Sequence, residues 1–184
     1  MTYDRFKHHR RSVRLPEYDY AQPGAYFVTM VTHGRECLFG EVVNAVVRLN
    51  EYGEIVEDCW RDVAAHFPTA RPDTFIVMPN HFHGIIVIMD DRRGMACHAP
   101  TAPESKRRFA QPIACSLAAI VGSFKSAVTK RINVLRGTPG WSVWQRNYHD
   151  EIVRDDDELR AKREYIVYNA ARWDVDRENP MNIR

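Results

Sequence analysis

The chain has little of what marks several special classes of protein. Its 184 residues include only four cysteines, Cys37, Cys59, Cys97 and Cys115, with no CxxC pair among them. Cys59 and Cys115 fall within apolar patterns, so neither a disulfide framework nor a cysteine zinc site is expected, and a reducing cytoplasm is the natural compartment. Long hydrophobic runs are also missing. The longest, GIIVIM, is far short of the roughly 20 apolar residues that a membrane-spanning helix needs. No hydrophobic segment follows the basic N-terminus, which argues against a signal peptide and against a membrane partner. There is no large excess of charge either. With 26 Lys plus Arg against 24 Asp plus Glu the net charge is +2, so any affinity for an anionic partner has to come from local clustering. There is no internal repeat, and the length suits one domain rather than two.

The charges do cluster. Basic residues crowd KHHRRSVR at 7–14, KRR at 106–108 and KRINVLR at 130–136, whereas acids gather in DEIVRDDDE at 150–158. Residues 1–24 read as a basic N-terminal arm broken by Pro16 and Pro23, and residues 25–184 as a single domain. AYFVTMVT (25–32) is rich in β-branched and aromatic residues and is expected to be a strand. GEVVNAVVRL (40–49) supplies a short extended piece, and Asn50 can cap a helix whose apolar stripe runs from Ile55 to Phe67. TFIVMP and HFHGIIVIM form a hairpin around Pro79 and Asn80. The stretch from Asp90 to about Pro112 reads as a mobile surface loop. A long helix follows over 114–136, with Leu117, Ile120, Val121, Phe124, Val128, Ile132 and Leu135 on one face. WSVWQRNYHDEIVR (141–154) alternates like a strand, and DDDELRAKREYIVYNAARW opens with acids suited to a helix N-terminus. The expected class is α+β: a ferredoxin-like antiparallel sheet with helices packed on one face, plus a C-terminal helix.

The chemistry begins at MPNHFHGIIVI, residues 78–88. Residues two apart in a strand share a face, so His81 and His83 present their imidazoles side by side while Phe82 points the other way. That is a geometry for two nitrogen ligands on one divalent ion. Two polar residues at a strand end would produce the same triplet.

Three segments, RRSVRLPEYDY...GAYFVTMVT, MPNHFHGIIVI and VWQRNYHDEIVRDDDELRAKREYIVYN, occur in the order found in the REP-associated tyrosine transposases. The chain resembles that branch of the single-tyrosine HUH transposases over nearly its whole length. The His-hydrophobic-His motif of the family falls on His81, Phe82 and His83. The resemblance implies metal-dependent cleavage and rejoining of single-stranded DNA at palindromic hairpins through a 5′-phosphotyrosine. Mg²⁺ or Mn²⁺ would be held by His81 and His83 with a third protein ligand. Single-stranded or hairpin DNA is the implied partner, and the implied protein is a monomer or a homodimer, the latter with a C-terminal helix exchanged to complete the site in trans.

The family commonly carries its tyrosine on a helix after the histidine strand, with a polar ligand four residues later. This sequence departs from that pattern, because the helix 114–136 has no tyrosine and reads KSAVTKRIN where one would be sought. Tyr148, Tyr165 and Tyr168 remain as candidate nucleophiles. Tyr165 and Asn169 are four apart and share a helical face, so a phenol and a carbonyl ligand could approach the histidines together. Tyr168 has Arg172 four residues on, and Tyr148, the alternate nucleophile, adjoins His149. Arg10, Arg11 and Arg14 of the arm, flanked by Tyr18 and Tyr20, suit phosphate contacts with base stacking. Lys125, Lys130, Arg131 and Arg146 could track the rest of a DNA backbone. Two other readings stay open: a non-catalytic hairpin-binding protein on the same scaffold, and a histidine zinc protein that hydrolyses through metal-bound water.

Overall fold

The computed structural model describes residues 19–90 and 115–182. Most of the N-terminal arm, with Arg10, Arg11 and Arg14, and most of the expected surface loop lie outside the described residues. The elements are β1 (Gly24–Val31), β2 (Gly40–Val43), β3 (Val46–Leu49), α1 (Glu51–Arg61), α2 (Val63–His66), β4 (Ala70–Val77), β5 (His81–Ile88), α3 (Leu117–Arg136), β6 (His149–Val153) and α4 (Asp156–Val167). Two short 3₁₀ turns, Ala170–Val175 and Pro180–Asn182, follow α4.

Four strands make one antiparallel sheet in the order β4-β5-β1-β6. Every neighbouring pair is antiparallel, the strand order of the ferredoxin-like arrangement with the first and third strands central. Alternation sorts the side chains onto two faces. Tyr26, Val28 and Met30 of β1 and Phe82, Ile86 and Ile88 of β5 are buried in the larger core, with Val56 and Trp60 of α1 and Leu117, Ile120, Phe124, Val128 and Ile132 of α3. The intervening Phe27 of β1 and Ile85 of β5 join Ile166 of α4 in a smaller core. The first two helices and α3 therefore cover one face, and α4 covers the other.

The helix termini follow the residues at hand. Asn50 Oδ1 accepts from the backbone N–H groups of Tyr52 and Gly53 at 3.0 and 3.1 Å, and Asp155 Oδ1 accepts from Glu158 N at 2.8 Å, each satisfying donors that have no partner within the helix. Gly137 ends α3 in the left-handed region at φ 65°.

Several expectations are corrected. The extended piece 40–49 is a complete hairpin, β2 with β3, turned at Asn44 and Ala45 with φ 52° and 61°. The first helix breaks at Asp62 into α1 and α2. Leu135, expected on the buried face of α3, is 51 % exposed. The strand expected at 141–154 is regular only over His149–Val153, because β1 pairs with it only from Ala25 to Thr29. Upstream, Lys125 Nζ donates to the carbonyls of Gln145, Arg146 and Asn147, so these groups are spent on a side chain rather than on a ladder. Cys37 and Cys59 are free thiols, but Cys115, expected to be reduced, is disulfide-bonded. Among the described residues no helix is long and apolar enough to cross a membrane.

Candidate active site

His81 opens β5 opposite Val31 of β1, and His83 lies opposite Thr29. Phe82, between them, packs at 4.7 Å from Trp60 and 5.4 Å from Phe124, centroid to centroid. The strand is thus anchored from behind, and the two imidazoles project to the α4 face with ring centroids 4.6 Å apart. Both are buried.

Each histidine is held by its Nδ1. Asn80 Nδ2 donates to the carbonyls of Arg35 at 3.1 Å and Glu178 at 2.6 Å, which leaves its Oδ1 to accept from His81 Nδ1–H at 2.9 Å. This fixes the tautomer: the Nε2 of neutral His81 carries the lone pair. That Nε2 is buried and has no hydrogen-bond partner among the described residues. Thr29 Oγ1 meets His83 Nδ1 at 2.8 Å, turning His83 Nε2 toward α4, where the Tyr165 hydroxyl lies at 3.4 Å.

Burial holds both histidines neutral. It lowers the His81 pKa to about 4, against the opposing pull of the Asp176 carboxylate. The His83 pKa falls well below its usual value, through burial first and then the neighbouring His81. Neutral imidazole is the form a metal requires.

α4 is clamped across the sheet by two ion pairs. Arg163 grips Asp73 of β4 in a fork, Nε to Oδ1 at 3.0 Å and Nη2 to Oδ2 at 2.5 Å, and holds the carboxyl near 2. Lys162 pairs with Glu151 of β6. Between these clamps Tyr165 sets its ring edge against Phe27, centroids 5.9 Å apart, and Phe27 in turn stacks on His83 at 5.4 Å. Burial and the nearby Asp176 raise the Tyr165 pKa.

Asn169 lies just beyond the end of α4 with helical angles, φ −63° and ψ −43°, and lines the same cleft as Tyr165. It is 1 % exposed, and its Oδ1 has no hydrogen-bond partner among the described residues. Its amide influences the titration of both His81 and Tyr165. The chain then bends back so that Asp176 Oδ2 comes within 3.9 Å of His81 Nε2. One ligand atom from each of His81, His83 and Asp176 fits within 4.8 Å. Buried lone pairs without partners beside a carboxylate are a donor set that fits a divalent cation. His83, Tyr165, Asn169 and Asp176 line one cleft of ≈ 660 Å³ together with Lys162 and Arg172.

The remaining predicted residues lie elsewhere. Tyr148 packs against the larger core on the opposite face of the sheet, and Tyr168 is 57 % exposed at the end of α4. Lys125, whose pKa burial lowers to about 8, lines a separate groove with Lys130 and Arg146. Arg131 lines a smaller cavity and is engaged by Asp58 Oδ2 at 3.2 Å and Cys59 Sγ at 3.4 Å. Asp176, Asn80 and Thr29 were not singled out from the sequence. Only the cross-strand register would have found Thr29, and Asp176 sits in a stretch with no periodicity.

The chain is 37% identical over 169 residues, 92% of each protein, to an "Uncharacterized protein" of Haemophilus influenzae. It belongs to the same family as that protein. No family model matches the sequence. Among solved structures, the fold is shared with a REP-associated tyrosine transposase bound to a REP hairpin, at a TM-score of 0.54 and 15% identity, over 89% of this chain and 74% of that one. The Haemophilus relative extends the family over almost the whole chain, and the solved structure relates its fold to a transposase.

Proposed function

We propose that the protein cleaves and rejoins single-stranded DNA at hairpin-forming elements, with Tyr165 as the nucleophile. The observation that carries this reading is convergence: the Tyr165 hydroxyl lies 3.4 Å from His83 Nε2, in a cleft that also holds the Asn169 amide and the Asp176 carboxylate. The solved structure of like fold binds a REP hairpin, which supports DNA as the substrate class. The cation expected here is Mg²⁺ or Mn²⁺, held by His81 and His83 with an oxygen from Asp176 or Asn169. When bound, it would polarise a phosphate oxygen and offset charge in the transition state.

The chain's own groups do the rest. Asn80 and Thr29 hold the imidazoles in place, and the Arg163 and Lys162 clamps fix the helix that carries the phenol. The Tyr165 oxygen bonds to phosphorus as the phosphorus–O3′ bond breaks. The phenolic proton leaves to solvent, and the departing 3′-oxygen takes one up. The product is a 5′-phosphotyrosine with a free 3′-hydroxyl, which conserves the bond energy for the reverse attack by a 3′-hydroxyl. Arg172, at the cleft wall, is suited to the phosphate's negative charge.

The test is a denaturing gel for a covalent adduct between the protein and a labelled hairpin oligonucleotide in Mn²⁺. Wild-type protein should form it and Tyr165→Phe should not, while Tyr148→Phe should retain it. An adduct at the wild-type rate in Tyr165→Phe removes Tyr165 from the role. Strand scission without any adduct would favour hydrolysis by metal-bound water. Binding without scission would favour a non-catalytic hairpin binder.

A further inference from the structure

On the opposite side of the sheet from the histidines, α3 and the segment 140–146 enclose an open groove of ≈ 470 Å³. Its wall carries Lys125, Lys130 and Arg146 and not one acidic residue. Lys125 spends its donors on the backbone of 145–147, which leaves Lys130 and Arg146, both exposed, as the outward cations. At the rim stands Trp141, 60 % exposed. Its backbone is anchored, since Asn133 Nδ2 donates to the Trp141 carbonyl at 2.8 Å. Its ring is supported by the Arg136 guanidinium, 5.7 Å from the centroid, which also lies 6.0 Å from the Tyr52 ring. A large indole held in this way is a braced platform rather than a core residue out of place.

We propose that this groove binds an unpaired stretch of nucleic acid, with a base stacked on Trp141 and phosphates on Lys130 and Arg146. A stacking ring beside cations is how sequence-tolerant single-strand sites are built, since every base has a π-face and every linkage a charge. An acidic peptide would answer the cations but would leave the indole unused. The groove and the candidate active site are separate cavities whose lining residues come close in sequence. Arg146 and Asn147 are both exposed, and His149, two residues after Asn147, lines the histidine cleft. The inference rests on the DNA-cleavage reading for its substrate class and extends it by assigning a second, non-reacting subsite.

The experiment is fluorescence anisotropy of the full-length protein with a labelled twelve-nucleotide oligothymidine, with the matching duplex and polyglutamate as competitors. Trp141→Ala should weaken single-strand binding about tenfold or more, and Trp141→Phe, which keeps a ring, only a few-fold. Lys130→Ala and Arg146→Ala should each flatten the dependence of log affinity on log salt by about 0.7. Unchanged affinity in Trp141→Ala with an intact circular-dichroism spectrum overturns the proposal, as does displacement by polyglutamate as effective as by the oligonucleotide. If wild type forms no adduct yet Trp141→Ala weakens binding, the groove stands and the cleavage reading falls. If adduct forms equally in wild type and Trp141→Ala at equal affinity, the groove falls and the cleavage reading stands.

Discussion

Acidification of the metal-free protein should begin to destabilise it from about pH 6.5 downward. Two histidines are buried in the neutral form, whereas in the unfolded chain each would protonate near 6.5. Below that pH the unfolded state takes up protons that the native state refuses, so stability is complete above about 6.5 and falls as the pH drops below it; the His81 share is lost down to about 4. For His81 the difference between 6.5 and about 4, at about 1.4 kcal/mol per pH unit, amounts to about 3 kcal/mol. His83 adds to this with the same sign. Against a total stability on the order of 10 kcal/mol this is a large fraction, equivalent to about 6–12 °C in Tm for a chain of this size. The Asp73 carboxyl, held near 2 by Arg163, loses its contribution only as the pH falls from 3.8 toward 2, below the His81 window. Urea unfolding in EDTA at pH 7.5, 6.5, 5.5 and 4.5 measures the effect. A flat profile over that range, or one of equal slope in His81→Asn/His83→Asn, would refute the reasoning.

Asn80→Ala releases the His81 tautomer and should lower Mn²⁺ affinity by about 10- to 100-fold in calorimetric titration; unchanged affinity would mean that the Asn80 contact does not prepare the imidazole. Asp176→Ala should weaken Mn²⁺ more than Asn169→Ala, because a carboxylate brings charge and an amide does not; the reverse order in the same titration would give the third position to Asn169. A Cβ on Gly84 would lie 2.7 Å from the Phe82 ring and 2.8 Å from Trp60, so Gly84→Ala should cost about 1–3 kcal/mol by overpacking. An unchanged urea midpoint would contradict the packing described.

The sequence made the strands of the sheet, the cap at Asn50 and the buried stripe of α3 legible because each depends on local chemistry or on a short period. The histidine pair and the Tyr165–Asn169 spacing were legible for the same reason: one is a two-residue repeat, the other a helical turn. What escaped depends on distant partners. The alternation in 141–148 resembles a strand, but the segment meets the sheet only through the isolated Thr32–Trp144 bridge just past the end of β1, and Lys125 takes the carbonyls of 145–147 from another element. The turn at Asn44–Ala45 places two residues at positive φ without a glycine to signal it. Asp176 reaches His81 only because the chain folds back after α4, tied by Asn80 to Glu178 and by the Arg35–Glu178 ion pair.

Phe82 sits in an aromatic vise of Trp60, Phe75 and Phe124, and its two neighbours are the histidines. A strand residue cannot turn without turning those beside it, so the vise also sets the aim of both imidazoles. The freedom that a flexible ligand pair would surrender on meeting an ion is surrendered instead when the chain folds. Drift in the hydrophobic face, through exchanges of Trp60 or Phe124 that touch no polar group, should therefore retune the ion's affinity from behind. The candidate ligand pair and the oily interior are two readings of one tripeptide.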